Sequence, residues 1–144
     1  MAKRLTLQID RPCFKDILNG VRDIEHRFIY PSNAKRYIIQ NEDDIRCVEY
    51  DELYLINGRR KEAPRLSVSV KEAEFIVFAD EDGSYLTEKD KNGEDFIICQ
   101  VWYHLGKVLS TENVPDDFYY DDATKKERLR KYKEEAAEIE QNML

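Results

Sequence analysis

The sequence predicts one small α+β domain, a mostly antiparallel β-barrel with a short helix after the first strand and an accessory helix at the C-terminus. Five or six segments alternate apolar and polar residues, and one short helical pattern follows the first of them. Near the end of the chain the apolar spacing changes to steps of three and four. A chain of 144 residues can bury a core without disulfides or a metal.

The first strand, helix and corner are predicted from residues 4–20. Residues 4–9 alternate polar and apolar side chains, which is typical of a half-buried strand. Asp10 can cap a helix, and Pro12 lies in its first turn, where a missing N–H costs nothing. Gly20 then allows the left-handed turn that ends the helix. The sequence therefore predicts a strand, a short helix and a glycine corner.

The second strand follows this corner and ends before a proline. Its alternation places Ile24, His26 and Phe28 on the apolar face, which predicts a core position for His26. Glu25 and Arg27 share the opposite face. Further strands are predicted at residues 36–40, 51–57, 66–70 with a β-rich continuation at 75–78, and 96–109, with a loop at 41–44 and an exposed acidic segment at 79–95.

The last part of the chain predicts a separate accessory region. Residues 1–110 are predicted to form the domain, and residues 111–144 an acidic linker and an amphipathic helix from about 121 to 143. The apolar stripe of this helix consists of Leu129, Tyr132, Ala136, Ile139 and Met143. A narrow stripe favours docking on the helix's own domain, while docking on a partner or on a second copy of the chain stays open.

Composition and charge exclude several function classes. The chain carries 23 basic and 30 acidic residues, so a protein that coats duplex DNA is not expected. Residues 1–40 nevertheless hold 8 basic and 4 acidic side chains, which leaves room for a local phosphate, nucleotide or short-RNA site. No apolar run approaches the ~20 residues of a spanning helix, and residues 1–5 precede no signal-like apolar stretch. We expect a cytoplasmic protein with no membrane partner.

The cysteines predict neither a metal centre nor a disulfide framework. Cys13, Cys47 and Cys99 lie 34 and 52 residues apart without a C-x-x-C pair, and His26 and His104 are near none of them in sequence. Reduced, structural thiols are therefore expected, with no metal and no cofactor. The sequence also lacks a glycine-rich phosphate loop, H-E-x-x-H and G-x-S-x-G.

The residues after the first helix form the most informative constellation. Glu25 and Arg27, two apart on one strand face, can pair so that the guanidinium is held while some of its donors stay available to a ligand. Arg22 adds a second cation whose planar fork suits phosphate or a base edge. A cation cluster at the mouth of a cleft is one interpretation. An ion pair that closes one end of the barrel is the other.

These residues carry a family resemblance. The stretch from Gly20 to Arg27 resembles the ASCH family of PUA-like domains, whose signature is a helix that ends in glycine followed by G-x-K-x-x-E-x-R. Gly20, Glu25 and Arg27 match, whereas Arg22 stands where the pattern has lysine. The resemblance covers roughly residues 3–109 and continues through Asn57-Gly58, Ala63-Pro64 and Tyr103-His104-Leu105-Gly106-Lys107-Val108-Leu109.

The resemblance implies a PUA-like β-barrel that binds RNA or a modified nucleotide in a cleft lined by Arg22, Glu25 and Arg27, with Gly20 as the structural residue. Exposed aromatic side chains would add a base-stacking surface, although packing in the core or on a strand surface is the favoured interpretation for each. The candidates are Tyr30, Tyr37, Tyr50, Tyr54, Trp102 and Tyr103.

The same family implies one alternative activity. Some members are small amidohydrolases that remove the acyl group from N4-acetylcytidine, with a lysine at the position of Arg22, a threonine at that of Glu25 and a glutamate on a later strand. Arginine stays protonated near neutral pH, so Arg22 is a poor substitute for a proton-accepting lysine. Glu72 and Glu74 lie in the region of the later glutamate, and nothing in the sequence singles out either. A protein-interaction module acting through the C-terminal helix is the third hypothesis.

Overall fold

The structure, a computed structural model, describes residues 2–142 and confirms a small α+β protein with a mostly antiparallel sheet. The residues group into two compact units. The first unit holds residues 2–23, 50–71 and 105–142, and the second holds residues 24–49 and 72–104. The predicted division into a domain at residues 1–110 and an accessory region at 111–144 stays a prediction. In the structure, the residues from 105 onward belong to the same compact unit as the start of the chain.

The secondary structure follows most of the predicted segments. The strands are β1 (Arg4–Gln8), β2 (Ile24–Ile29), β3 (Ile38–Asn41), β4 (Asp44–Cys47), β5 (Glu52–Ile56), β6 (Arg65–Val77), β7 (Thr87–Lys89), β8 (Asp95–Ile97) and β9 (Cys99–Glu112). The helices are α1 (Arg11–Leu18), α2 (Ala34–Tyr37) and α3 (Asp122–Asn142), with a 3-10 turn at Asp116–Phe118. None of the helices in the described part of the chain has the length and apolar content needed to cross a membrane.

In the first unit, β1 runs parallel to β5, which is antiparallel to β6, and β6 neighbours β9. The register sets Leu5 beside Leu53 and Leu7 beside Leu55, and all four side chains are buried. Burying the apolar face of alternating strands is the main contribution of such a sheet to stability. The predicted alternation of the first strand is therefore confirmed.

Helix α1 and the corner after it form as the sequence predicts. The Asp10 carboxylate accepts a hydrogen bond from the Cys13 N–H at 2.9 Å, which caps the helix. Phe14 is buried and meets the ring of Phe118 edge-on, with 5.8 Å between the ring centroids. Gly20 has a φ of 73°, a conformation that favours glycine, so the chain turns immediately after the helix.

In the second unit, β9 lies between β6 and β2, and two hairpins, β3–β4 and β7–β8, are added. Residues 36–40 were predicted as one strand, whereas α2 extends to Tyr37 and only then does β3 begin. The acidic segment 79–95 is exposed as predicted, and it carries the β7 strand. Asp80 and Asp90 each accept two backbone N–H groups with one carboxylate oxygen, which fixes tight turns in this segment.

The buried face of β2 is the opposite of the one predicted. Glu25 and Ile29 are each only 4% exposed, whereas Phe28 is 46% exposed. His26 is half-buried and stacks on Trp102 of β9 with 4.6 Å between centroids, so it is not a core histidine. Alternation shows which side chains share a face, but it does not show which face is covered.

The predicted barrel does not close among the described strands. A sheet closes only when its two edge strands pair with each other. Here β1 pairs with β5 alone and β2 pairs with β9 alone, so the described sheet is open.

Candidate functional site

The glycine corner of the first unit borders a hollow of about 410 Å³, which we call the Arg22 hollow. Arg22, Lys107 and Lys125 supply three cationic side chains to its wall. The wall is completed by Ile17, Leu18, Asn19, Gly20, Asp23, Val68, Leu105, Gly106 and Val108. The guanidinium of Arg22 also donates to the Cys13 sulfur at 3.4 Å, which ties it to α1. The hollow therefore combines a held cation with two further positive charges.

Helix α3 is attached to the edge of this hollow. The Tyr132 hydroxyl donates to the Asp23 carboxylate at 3.1 Å, and the Leu105 N–H donates to the Asp23 carbonyl at 2.8 Å. Burial, reinforced by the negative charge of Asp23, raises the pKa of Tyr132 to about 12, although nearby Arg22 lowers it. The predicted stripe of α3 thus contacts its own unit at Tyr132. Met143, the last residue of the predicted stripe, lies outside the described residues.

A buried carboxylate that the sequence did not single out anchors α3 more strongly. Asp16, on α1, is 6% exposed and receives the Tyr120 hydroxyl at 2.6 Å. Arg128 of α3 donates to both Asp16 oxygens, at 3.1 Å from Nε and 2.5 Å from Nη2. Burial first, and then Asp16, raises the pKa of Tyr120 to about 12, and Asp16 raises the pKa of Arg128.

These shifts predict a loss of stability in alkaline solution. The folded protein keeps the phenolic protons of Tyr120 and Tyr132 up to about pH 12, whereas an unfolded chain loses them near its ordinary pKa of about 10. The contribution of these two tyrosines to the free energy of unfolding is complete below about pH 10 and is lost as the pH rises towards 12. Between pH 10 and pH 12, the free energy of unfolding measured in urea should decline less in the double variant Tyr120→Phe, Tyr132→Phe than in the unaltered protein. An equal decline in the two proteins would contradict the assignment.

The Glu25–Arg27 pair belongs to the second unit. Glu25 Oε2 lies 3.6 Å from Arg27 Nη2, which is an ion pair but too long for a hydrogen bond. The Glu25 side chain is buried and that of Arg27 is 26% exposed. Arg22, by contrast, is a residue of the first unit. That all three residues line one cleft stays a prediction.

A second group of ionisable side chains lies on β6 and β9 of the second unit. Glu72, Glu74 and His104 each offer one ligand atom, and these atoms lie within 4.8 Å of one another. His104 Nε2 is in hydrogen-bond contact with Glu74 Oε1. The signal available in the sequence was Glu-x-Glu on a strand, which puts both carboxylates on one face. The histidine was missed because sequence does not give the pairing of β6 with β9.

Two half-buried aromatic side chains, those of His26 and Trp102, lie on the same sheet face as His104. His104 pairs with Ile24 and Trp102 pairs with His26 in the β2–β9 ladder, so His26, Trp102 and His104 share one face. Trp102 Nε1 donates to Gln100 Oε1 at 2.7 Å, which orients the indole. Of the other predicted stacking residues, Tyr37 and Tyr103 are buried, Tyr50 and Tyr54 are half-buried, and Tyr30 is exposed.

None of the three cysteines forms a disulfide; Cys99 is buried, and Cys13 and Cys47 are half-buried. Burial raises the pKa of Cys99, and burial together with the charge of Glu74 raises that of Cys47. Both thiols are thereby kept protonated and weakly reactive.

The net charge of the protein is concentrated in one unit. The second unit has 6 basic and 14 acidic side chains, whereas the first unit has 17 basic and 16 acidic side chains. A polyanion is repelled by a surface with an acidic excess, and a cation is attracted. The acidic excess of the second unit therefore favours a cation and disfavours an extended polyanion there, whereas the first unit is nearly neutral.

Comparison of this chain with protein-family models, with curated proteins and with solved structures found no match. The fold is that of a small α+β protein with a mostly antiparallel sheet. The chemistry of the two sites is therefore the basis on which a function is proposed.

Proposed function

We propose that the protein binds RNA or a modified nucleotide and that the ligand's phosphate or base edge lies in the Arg22 hollow. The observation that carries the proposal is that Arg22, Lys107 and Lys125 line one hollow of about 410 Å³. That volume is within the range of about 300–1,000 Å³ of small-ligand sites. The guanidinium fork can bind phosphate or a base edge in a bidentate manner, and the two ammonium groups add charge.

The charge distribution limits the size of this ligand. The acidic excess of the second unit, 14 acidic against 6 basic residues, repels an extended phosphate backbone. A single nucleotide or a few unpaired nucleotides can meet the cations of the hollow without following that surface. Single-stranded RNA is also the form in which bases are free to be recognised.

What supports an ASCH, PUA-like relation is the pattern G-x-R-x-x-E-x-R, which begins at a glycine corner directly after α1. In the family pattern the glutamate and the arginine are part of the ligand site. On that ground Glu25 and Arg27 stay predicted ligand residues, and a PUA-like relation stays the proposed family, although the described sheet is open. A cytoplasmic location agrees with an RNA or nucleotide ligand and is part of the same proposal.

Binding of a labelled single-stranded RNA of about eight nucleotides, followed by fluorescence anisotropy at low salt, tests the proposal. We expect Arg22→Ala to weaken binding about tenfold or more, because a charge-assisted bidentate contact is lost. Lys125→Ala should weaken it less and reduce the salt dependence by about one released counterion. Lys126→Ala is the matched control, since Lys126 is exposed on the same helix but does not line the hollow. No binding at low salt, or equal effects of Arg22→Ala and Lys126→Ala, would refute the site.

The alternative is a small amidohydrolase that acts on an acylated nucleoside. The contact between Glu74 and His104 favours it, because a carboxylate beside an imidazole can move a proton. Incubation with N4-acetylcytidine and chromatographic detection of cytidine decides between the two. Turnover that is abolished by Glu74→Gln would replace the binding proposal with the enzyme.

A protein-interaction role through α3 is the remaining proposal. Arg128 and Tyr132 of this helix contact its own unit, so a partner would have to use the faces they leave exposed. If α3 joins two copies of the chain, the mass in solution should be that of a dimer.

A further inference from the structure

We propose that Glu72, Glu74 and His104 form a binding site for a divalent transition-metal ion, for which Zn²⁺ is the probe. The proposal is independent of the Arg22 hollow, because the three residues belong to the second unit. It also uses none of the cysteines, whose spacing gave no reason to expect a metal.

The ligand set has the composition of an open metal site. Two carboxylates and one imidazole supply oxygen and nitrogen donors, which are ordinary ligands of Zn²⁺ and of Mn²⁺. Three protein ligands leave at least one coordination position for water or a substrate. Glu72 is exposed and Glu74 and His104 are half-buried, so an ion can reach the group from solvent.

The spacing is close to what coordination requires. With metal–ligand distances of about 2.1 Å, two ligand atoms of a tetrahedral site are about 3.4 Å apart. The three atoms here already lie within 4.8 Å of one another. Glutamate side chains have several rotatable bonds, so small changes in torsion close the remaining gap. Neighbouring strands hold the backbone of all three residues in place.

The local charge balance favours a bound cation. Two carboxylates at this separation repel each other, and the surrounding unit has an acidic excess. Among the described residues, Glu74 contacts His104, and Glu72 takes part in no ion pair. A proton on His104 would neutralise one carboxylate only. A divalent ion neutralises both and leaves the imidazole neutral, as ligation requires.

The chain contains its own reporter for the test. Trp102 is the only tryptophan, and it lies on the same sheet face as His104, two residues away. Titration of the full chain with ZnCl₂, by tryptophan fluorescence and by calorimetry, should show one ion per chain. Zn²⁺ should also raise the melting temperature, since it binds the folded state. Mg²⁺ should bind far more weakly, because imidazole is a poor ligand for it.

Variants separate this site from other sources of zinc binding. His104→Gln and Glu72→Gln should each weaken zinc binding at least tenfold, while Glu88→Gln, an exposed carboxylate of the same unit, should leave it unchanged. Cys47→Ser should also leave it unchanged, which excludes ligation by that thiol. Circular dichroism of each variant checks folding, so a loss of binding with an intact spectrum is assigned to the site.

Two results would overturn the proposal: no saturable binding below about 1 mM Zn²⁺, or binding that His104→Gln and Glu72→Gln leave intact. Either would mean that Glu72, Glu74 and His104 are not the ligands of a metal ion. Arg22→Ala should bind zinc normally whatever its effect on RNA, so failure of the metal site is distinguishable from failure of the proposed function.

Discussion

Arg128→Ala is expected to lower the free energy of unfolding by about 2–3 kcal/mol. The change leaves the Asp16 carboxylate, which is 6% exposed, with the Tyr120 hydroxyl as a partner but without its bidentate cation. Removing one member of a fully buried ion pair costs about 3–5 kcal/mol. Arg128 is 40% exposed, so water can reach the vacated space and the loss should be smaller. Urea unfolding at neutral pH measures it.

Two comparisons make this prediction specific to the pair. Arg130→Ala removes an arginine of the same helix that pairs with the exposed Glu127 and Glu134, and we expect a much smaller effect. In an Asp16→Asn background, Arg128→Ala should also cost much less, because no buried charge remains to be orphaned. If Arg128→Ala cost the same in both backgrounds, the helix would be held by packing and not by this ion pair.

Arg27→Ala is expected to lower the free energy of unfolding by about 2 kcal/mol, through the second unit. The Glu25 side chain is only 5% exposed, and its Oε2 lies 3.6 Å from the Arg27 guanidinium. Loss of that cation leaves a charge in a poorly solvated position, which is unfavourable. Chemical unfolding, with tryptophan fluorescence as the probe, measures the effect.

The control variants for the Arg27→Ala prediction are Glu25→Gln and Arg46→Ala. Glu25→Gln removes the charge while keeping the shape, so Arg27→Ala should be nearly neutral in that background. Arg46 is an exposed arginine of β4 in the same unit, and its replacement should have little effect on stability. A large effect of Arg27→Ala that persists with Glu25→Gln would show that the arginine acts through its aliphatic stem.

Local rules predicted the strand, helix and glycine corner of residues 4–20. Asp10 caps the helix through a residue three positions away, and Gly20 turns the chain by its own conformation. The orientation of β2 could not be predicted in this way. Ile24 and Phe28 look like the inner face by their composition, yet the covered side is set by neighbouring strands that lie far away in the sequence.

The same limit applies to the sites. Arg22 and Glu25 were found because a compact motif carries them, whereas Asp16 and Arg128 are 112 residues apart and share no pattern. Glu74 and His104 are separated by 30 residues, and only the pairing of β6 with β9 brings them together. Contacts that depend on strand register and helix docking are not visible in a single sequence.

Neither compact unit corresponds to one continuous stretch of chain. The backbone passes from one unit to the other four times, after residues 23, 49, 71 and 104, and the strands β6 and β9 span two of these passages. Neither unit can therefore be excised or transplanted as one continuous segment, and moving a complete unit into another protein would require several segments to be moved together.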